Sequence, residues 1–406
     1  MNPSANIAII GAGYVGLTTA AALAYLGNRV TCVDIDEEKV RKLQQGDPLI
    51  YEPGLQDLMR EAGDRLRFTT SYSDAVPEAD IVFIAVGTPL GDDGYANLEY
   101  LHQAATSVGR HLNGKFTLIV NKSTVPIGCG NWVDSIVRES YAETHGERAN
   151  GCFAVASNPE FLKEGTALDD TFYPDRIVIG VERERDAEIL ARLYRPILDQ
   201  EFEAPAFLPR PAQFGSVPLV TTGIASAELI KYTANAFLAV KISFINQVGT
   251  LAEKVGADVT ELARGIGLDR RIGGRFLQAG IGWGGSCFGK DTAALAATGR
   301  EYACDLSIVD AAREANCRQL ERVIEKLLDR LKILKGRRIG LLGLSFKPDT
   351  DDMRDSPAFA IARRLTGRGA KVIAYDPVAI CRSRRQIEQA GIKVAETPED
   401  VFVESD

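Results

Sequence analysis

Short β-branched runs alternate with longer helical stretches through the first half of the chain. Ile7–Ile10 reads as a strand, the glycines after it as a tight turn, and the Ala-rich stretch Leu17–Leu26 as a buried helix ending at Gly27. Arg29–Asp34 is a second strand, followed by a helix at Glu37–Gln44, a strand at Ile81–Val86, a helix at Asn97–His111 and a strand at Thr117–Asn121. Phe153–Ala156 and Ile177–Ile179 are further strand candidates, with a helix at Glu184–Tyr194 behind them. This alternation predicts an α/β fold whose parallel sheet is covered on both faces. The Pro-rich stretch from Pro205 to Pro218 places the end of the first domain near residue 210.

From Ala225 to Val255 the pattern becomes one long helical period, with Leu229, Ala236, Val240, Ile245, Val248 and Ala252 among its apolar positions. Such a helix exceeds what one small core needs, so it is expected to carry a subunit interface, although an internal domain contact would read the same way. A second helical run spans Leu306–Leu334, and a Gly-rich loop from Gly273 to Gly289 lies between the two. At Arg338 the opening pattern returns in degenerate form: IGLLGL is strand and turn, Ser356–Arg368 a helix, and KVIAYDP a strand ending in Asp376. Three domains follow: a Rossmann-like unit over 1–210, an all-helical unit with the cysteine loop over 211–334, and a partial second Rossmann-like unit over 335–406. Few residues follow Val394, so this last unit is expected to stop short of a complete doubly wound sheet.

The uncharged stretch Ile7–Asn28 has the length of a membrane span, but its glycines break it into strand, turn and helix. No basic segment precedes it, so a signal peptide is not expected either. Lys and Arg number 47 against 55 Asp and Glu, for a net charge of −8. Nothing in that balance suggests a nucleic-acid partner. The seven cysteines are scattered, without a CxxC pair, and only three histidines are present. The expectation is a cytoplasmic protein with free thiols, no disulfide framework and no metal site.

Gly11, Gly13 and Gly16 stand at GxGxxG spacing. Glycines also serve bare backbone geometry, but here the motif follows a strand, opens a helix and precedes Asp34 at the end of the next strand. That context is the one dinucleotide binding needs: a tight turn at Gly11, close approach of a pyrophosphate at Gly13, and helix–strand packing at Gly16. Asp34 would accept from a ribose 2′-hydroxyl and repel a 2′-phosphate, which favours NAD over NADP. Three further segments read as loops at strand C-termini: VGTP (Val86–Pro89), KSTVP (Lys122–Pro126) and NPEFLKEG (Asn158–Gly165). In the last, a short helix would present Glu160 and Glu164 together near the cofactor, while a capped, solvated helix is the plainer reading. The sharpest signal is GWGGSCFGKD, Gly282–Asp291, where Cys287 sits among glycines with Lys290 and Asp291 after it. A thiolate beside a cation attacks carbonyl carbon readily. A dinucleotide oxidant and a nucleophilic cysteine together suggest oxidation through a thiohemiacetal to a thioester, then hydrolysis, consuming two NAD.

At this point the chain resembles the UDP-glucose/GDP-mannose dehydrogenase family of nucleotide-sugar dehydrogenases. The resemblance runs in order through GAGYVG, VDID, VGTP, KSTVP, NPEFLKEG, AELIKYTANAFLAVKISFIN, RIGGRFLQAGIGWGGSCFGKD and SFKPDTDDMRDSP. It implies four-electron oxidation of UDP-glucose at C6 to UDP-glucuronate, with Cys287 as nucleophile. Lys231 and Asn235 would stabilise the oxyanion, Asp291 and Thr124 would orient a water and accept the first proton, and Glu160 would assist thioester hydrolysis. The NAD site would comprise Gly11, Gly13, Tyr14, Val15, Gly16, Asp34, Lys39, Thr88, Thr124, Glu164, Lys290 and Arg354. The UDP-sugar would meet Glu160, Phe161, Leu162, Lys163, Lys231, Asn235, Phe276, Gly284, Phe346 and Lys347, with Arg271 reaching in from a neighbouring subunit of a homodimer or higher homo-oligomer. Two departures stand out: the terminal unit is short of the strands that complete the family's UDP pocket and carry a further substrate arginine, and Gly289 replaces a frequent proline.

Taken alone, Lys231 on a long helix would be solvated, Lys347 and Arg354 could balance the acidic turn PDTDD, and Arg270 and Arg271 could be a solvated pair. The competing functions are the same reaction on GDP-mannose or a UDP-N-acetyl-hexosamine, a two-electron β-hydroxyacid dehydrogenase, which would have no use for Cys287, and a non-catalytic NAD-binding protein.

Overall fold

The computed structural model describes residues 4–91, 94–146, 148–149 and 151–406. The chain divides into two compact units, Met1–Lys231 and Tyr232–Asp406.

The first unit is built on eight strands: β1 (Asn6–Ile10), β2 (Arg29–Val33), β3 (Leu66–Thr69), β4 (Ile81–Ile84), β5 (Thr117–Asn121), β6 (Phe153–Ser157), β7 (Ile177–Gly180) and β8 (Leu219–Thr222). They pair in the order β3-β2-β1-β4-β5-β6-β7-β8. The pairings are parallel except for an antiparallel contact of β6 with β7 at Ser157 and Gly180. The sheet therefore continues past residue 210, to Thr222. Its helices are α1 (Tyr14–Tyr25), α2 (Glu37–Gln44), α3 (Leu55–Ala62), α4 (Tyr72–Ala75), α5 (Glu99–His111), α6 (Cys129–His145), α7 (Ala167–Phe172) and α8 (Glu184–Leu198).

The central strands are apolar at nearly every position because each buries both faces. Ile7, Ile9 and Phe83 join Leu17 and Leu23 of α1 in one hydrophobic layer, while Ala8, Ile10, Val82 and Ile84 join Val108 and Val133 in the other. Successive side chains on a strand point to opposite faces, so four-residue runs feed both layers. Helix α1 is buried from Gly16 to Ala24, which is why its sequence carries no charge. Strand order reverses between β1 and β4, and in an open parallel sheet ligands gather outside the strand C-termini at such a switch point.

Helix α9 (Ile224–Val255) runs through the division between Lys231 and Tyr232. The second unit adds α10 (Val259–Gly267), α11 (Gly285–Glu301) and α12 (Ser307–Leu331). It closes with a three-stranded parallel sheet in the order β11-β10-β9, from β9 (Arg338–Leu342), β10 (Lys371–Tyr375) and β11 (Ile392–Val394). Helices α13 (Pro357–Gly367), α14 (Ala379–Gln389) and α15 (Pro398–Glu404) accompany this sheet. Ile339, Leu344, Ile361, Leu365, Val372 and Ile387 form its core with Ile324 of α12. The expected Gly-rich loop ends early: Gly285 opens α11, so Cys287 lies in the first turn of a helix and not in a loop. Among the described residues no helix is long and apolar enough to cross a membrane.

Candidate active site

The glycine turn has the shape of a dinucleotide cradle. Gly11 has φ of 100°, and a Cβ there would lie 2.7 Å from the Ala85 carbonyl oxygen. A Cβ on Gly16 would lie 1.8 Å from the Gly11 oxygen, so the packing of α1 on the turn excludes any side chain. Around Gly13, the residue before α1, there is open space, as an approaching pyrophosphate requires. Asp34 Oδ2 accepts from the Ala12 amide at 2.9 Å and from Lys39 Nζ at 2.6 Å. Burial favours the protonated acid, but these bonds together hold the Asp34 carboxyl below its ordinary range. Val15 is half-buried in the same turn.

Tyr14 reaches away from the turn. Its hydroxyl donates to Glu52, and the Gly165 amide donates to Tyr14 Oη at 2.6 Å and to Glu52 Oε2 at 2.7 Å. The Leu168 amide donates a third bond to Glu52, to Oε1 at 3.2 Å. Burial first, and then the neighbouring Glu52, push the Tyr14 hydroxyl well above the usual tyrosine range. Glu52 thus ties the glycine turn to the end of the NPEFLKEG segment, a role that no local pattern around it announces.

The VGTP, KSTVP and NPEFLKEG segments follow β4, β5 and β6. Thr88 Oγ1 donates to the Thr124 carbonyl at 2.8 Å, and Ser123 Oγ to the Val86 carbonyl at 2.6 Å, so the first two loops are stitched together. The third is not helical between 158 and 165, contrary to the expected short helix. Glu160 is drawn out of any helical geometry by Lys231 of α9, whose ammonium sits 2.9 Å from Glu160 Oε1, both side chains being less than a tenth exposed. The Leu162 amide donates to Glu160 Oε2 at 2.6 Å. Burial opposes the charge, but Lys231 first, then this amide and Lys122, keep the Glu160 carboxyl below the ordinary glutamate range. Phe161 lies between two cations, with the Arg176 guanidinium 3.7 Å and the Lys231 ammonium 5.3 Å from its ring centre. Lys163 pairs with Asp170, and Glu164 and Leu162 are half-buried.

Lys122, in the KSTVP turn, is a buried lysine that the sequence reading passed over. Its ammonium donates to Asn158 Oδ1 at 3.0 Å, an oxygen that also accepts from Tyr194 Oη at 2.6 Å. Burial pushes its pKa down to about 8, against the opposing pull of Glu160.

The second unit holds the other expected residues. Asn235 Nδ2 donates to Asp291 Oδ2 at 2.6 Å, and Lys290 Nζ meets Asp291 Oδ1 at 2.5 Å. Asp291 is fully buried, so both its oxygens depend on these partners. Cys287 stands one helical turn before Asp291 and is partly exposed, with Ser286 Oγ 3.7 Å from its sulfur. The helix starts where it does because glycine lets it seat against SFKPDTDDMRDSP. A Cβ on Gly284 would lie 2.1 Å from the Asp355 carbonyl oxygen, and one on Gly285, at φ of 84°, 2.7 Å from the Phe346 ring. Phe276 adopts φ of 64° and its ring centre lies 6.4 Å from that of Phe288. The Lys347 ammonium lies 5.8 Å from the centre of its neighbour Phe346. Arg354 pairs with Asp352 at 2.7 Å, and Arg271, 89% exposed, with Asp269 at 2.6 Å. Both arginines therefore take partners two residues away within their own turns. Among the described residues no cluster of three His, Cys, Asp or Glu side chains could hold a metal ion.

A glycine cradle with a terminal acid, set at the switch point of an open parallel sheet, defines a dinucleotide-binding protein, and the family to which the chain belongs makes it an NAD-dependent oxidoreductase. The chain matches the UDP-glucose/GDP-mannose dehydrogenase family in all three of its parts: the NAD binding domain over residues 5–198, the central domain over 225–318 and the UDP binding domain over 340–406. It belongs to that family. It is 45% identical over 403 residues to the UDP-glucose 6-dehydrogenase YwqF of Bacillus subtilis, covering 99% of this chain and 86% of that one. It is 44% identical over 408 residues to the UDP-glucose 6-dehydrogenase of Rhizobium meliloti, covering 99% and 87%. Among solved structures, a UDP-glucose dehydrogenase from the archaeon Pyrobaculum islandicum superposes with a TM-score of 0.91 at 40% identity, covering 100% of this chain and 89% of that one.

Proposed function

We propose that this enzyme oxidises UDP-glucose at C6 to UDP-glucuronate, with Cys287 holding the intermediate as a thiohemiacetal and then as a thioester. The observation that carries this reading is the placement of Cys287. It is a partly exposed thiol in the first turn of α11, one turn from the Asn235–Asp291–Lys290 cluster. The N-terminal end of a helix favours an anion, so the thiolate is supported there. NAD, held by the Gly11–Gly16 turn and Asp34, would supply the hydride acceptor for each of the two oxidations at C6.

Asp291 and Thr124 take the O6 proton and orient a water. The thiolate sulfur then adds to the C6 aldehyde, and Lys231 and Asn235 hold the oxyanion that forms. After the second oxidation, water attacks the thioester carbon and the sulfur leaves as thiolate, with Glu160 accepting the water's proton. The balance is one alcohol, two NAD and one water giving one carboxylate, two NADH and three protons. Leu162, Lys163, Phe276, Gly284, Phe346 and Lys347 are assigned to the UDP-sugar, and Arg271 to the site of a neighbouring subunit.

A second copy of the chain is the natural cover for α9. Phe237, Phe244 and Leu251 recur at seven-residue spacing along it and are 64%, 52% and 59% exposed, with Val255 continuing the stripe. An apolar row of that kind is stable in water only when another helix packs on it. The proposed enzyme works in the cytoplasm, where its thiol stays reduced.

The test is the NADH yield when limiting UDP-glucose is exhausted with excess NAD. Two NADH per sugar are expected, and Cys287→Ser should abolish acid formation. Full four-electron turnover by that variant would overturn the covalent route, and a better yield from GDP-mannose or a UDP-N-acetyl-hexosamine would reassign the sugar.

A further inference from the structure

We infer that Glu228 is a positioning residue of this reaction: its carboxylate fastens the opening turns of α9, and with them Lys231, to the N-terminus of α6 and so to the turn that carries Thr124. The inference rests on the proposed reading of Lys231 and Thr124. Glu228 is 2% exposed, and both its oxygens are engaged. Oε2 accepts from the Gly128 amide at 2.7 Å, and Oε1 from the Gly130 amide at 2.8 Å. Gly128 precedes α6 directly, and Pro126 at the end of KSTVP lies two residues further back.

The elements around this carboxylate pack so closely that a side chain on either facing glycine would collide with the opening of α9. A Cβ on Gly130 would lie 2.4 Å from Ile224 Cγ2, and one on Gly180 at the end of β7 would lie 2.6 Å from Ala227 Cβ. The opening of α9 is thus wedged against both α6 and β7, with Glu228 as its polar fastening. One turn further along, Lys231 carries the ion pair to Glu160. A shift of the fastening moves Lys231 and the Thr124 turn relative to each other, which is the geometry the oxyanion and the first proton transfer depend on.

The fastening also titrates. Burial pushes the Glu228 carboxyl up to about 7, although both amides favour its charged form. The titratable group facing it from α6 is Cys129, which burial and Glu228 push up to about 12, and β7 and β8 carry no titratable side chain. Lys231, on its own helix, is held by Glu160. When Glu228 is protonated, an O–H faces one of the two amide donors, and that bond is lost.

The experiment compares the wild-type enzyme with Glu228→Gln by hydrogen exchange at the Gly128 and Gly130 amides and by kcat for UDP-glucose oxidation, from pH 6 to pH 8. In the wild type, protection corrected for intrinsic rate should rise about 10-fold or more across that range, the scale of a charge-assisted hydrogen bond, and in Glu228→Gln it should stay flat. At pH 8 the variant's kcat should fall about 10–100-fold with KM for NAD unchanged, and the two enzymes should converge at pH 6. Flat wild-type protection overturns the inference without any variant or substrate, and so does a Glu228→Gln kcat equal to wild type at pH 8. Lys231→Ala run alongside separates the two levels. If it retains full hydride transfer, the reading of the site fails; if it is inactive while Glu228→Gln is normal, this inference alone fails.

Discussion

Replacing Lys231 by Met removes the ammonium 2.9 Å from Glu160 while keeping the length of the side chain. The variant leaves Glu160, 7% exposed, with the Leu162 amide and the field of Lys122 as its remaining support. Breaking a buried ion pair from one side costs about 3–5 kcal/mol, because the remaining charge is neither solvated nor compensated. Lys122 places the expected cost at the lower end of that range, about 3 kcal/mol. At roughly 2–4 °C per kcal/mol for a unit of this size, thermal unfolding at pH 8 should begin about 10 °C lower. The pH dependence gives the sharper test. In the wild type the Glu160 pKa is depressed, so its contribution is present above the unfolded value and lost only as pH falls through the folded one. In Lys231→Met the folded pKa moves above the unfolded value, so acidification neutralises the stranded carboxylate and the deficit shrinks. Melting followed by circular dichroism at pH 8 and pH 5 should show the gap between variant and wild type narrowing by at least half. An equal gap at both pH values, or one under about 2 °C at pH 8, would refute the account of Glu160 as a buried charge held by Lys231.

Gly16→Ala should abolish NADH binding in a fluorescence titration, because the added carbon has only the Gly11 carbonyl to displace; wild-type affinity would disprove the close packing of α1 on the turn. Asp34→Ser should weaken NAD binding about 10-fold or more and narrow the preference over NADP, as loss of a charged acceptor predicts, and unchanged selectivity would sink the assigned ribose contact. If the proposed α9 interface holds a homo-oligomer together, Phe244→Asp should convert it to monomers in sedimentation velocity, and an unaltered sedimentation coefficient would take α9 out of that proposed interface.

The parallel sheet was legible because its strands bury both faces and so write themselves as uninterrupted apolar runs. Helix α2 and strand β5 begin and end where their residues predict. The failures share a cause, which is that distant contacts override local preference. NPEFLKEG has the composition of a capped helix, yet Lys231, far along the chain, takes Glu160, and the segment is irregular up to a turn at 164–165. GWGGSCFGKD has the glycine content of a loop, yet packing on Phe346 and Asp355 starts a helix at Gly285. Among the site residues, Asn235 and Asp291 do meet, as do Glu160 and Lys231. The buried Glu52 and Lys122 gave no warning, because burial of a charge is decided by what surrounds it and not by its neighbours in sequence.

The second Rossmann-like turn differs from the first in a way that bears on turnover. Asp376, the counterpart of Asp34, is 5% exposed and accepts from the amides of Leu344, Ser345, Val378 and Ala379 at 2.7–3.0 Å. After Gly343 the chain does not enter a helix until Pro357, whereas α1 begins three residues after Gly11. The acid that could read a ribose is spent on closing its own loop, and no helix end waits behind the turn. Among the described residues, the first half alone has the turn, the free helix end and the acid that suit a dinucleotide. The proposed four-electron oxidation would therefore be a queue: this single site would have to release one reduced cofactor and admit a fresh molecule while it keeps hold of the half-oxidised sugar, which on the proposed route is tethered to Cys287. NADH and NAD would then compete for that site, and accumulated NADH should slow the second oxidation by occupying the berth the next NAD needs.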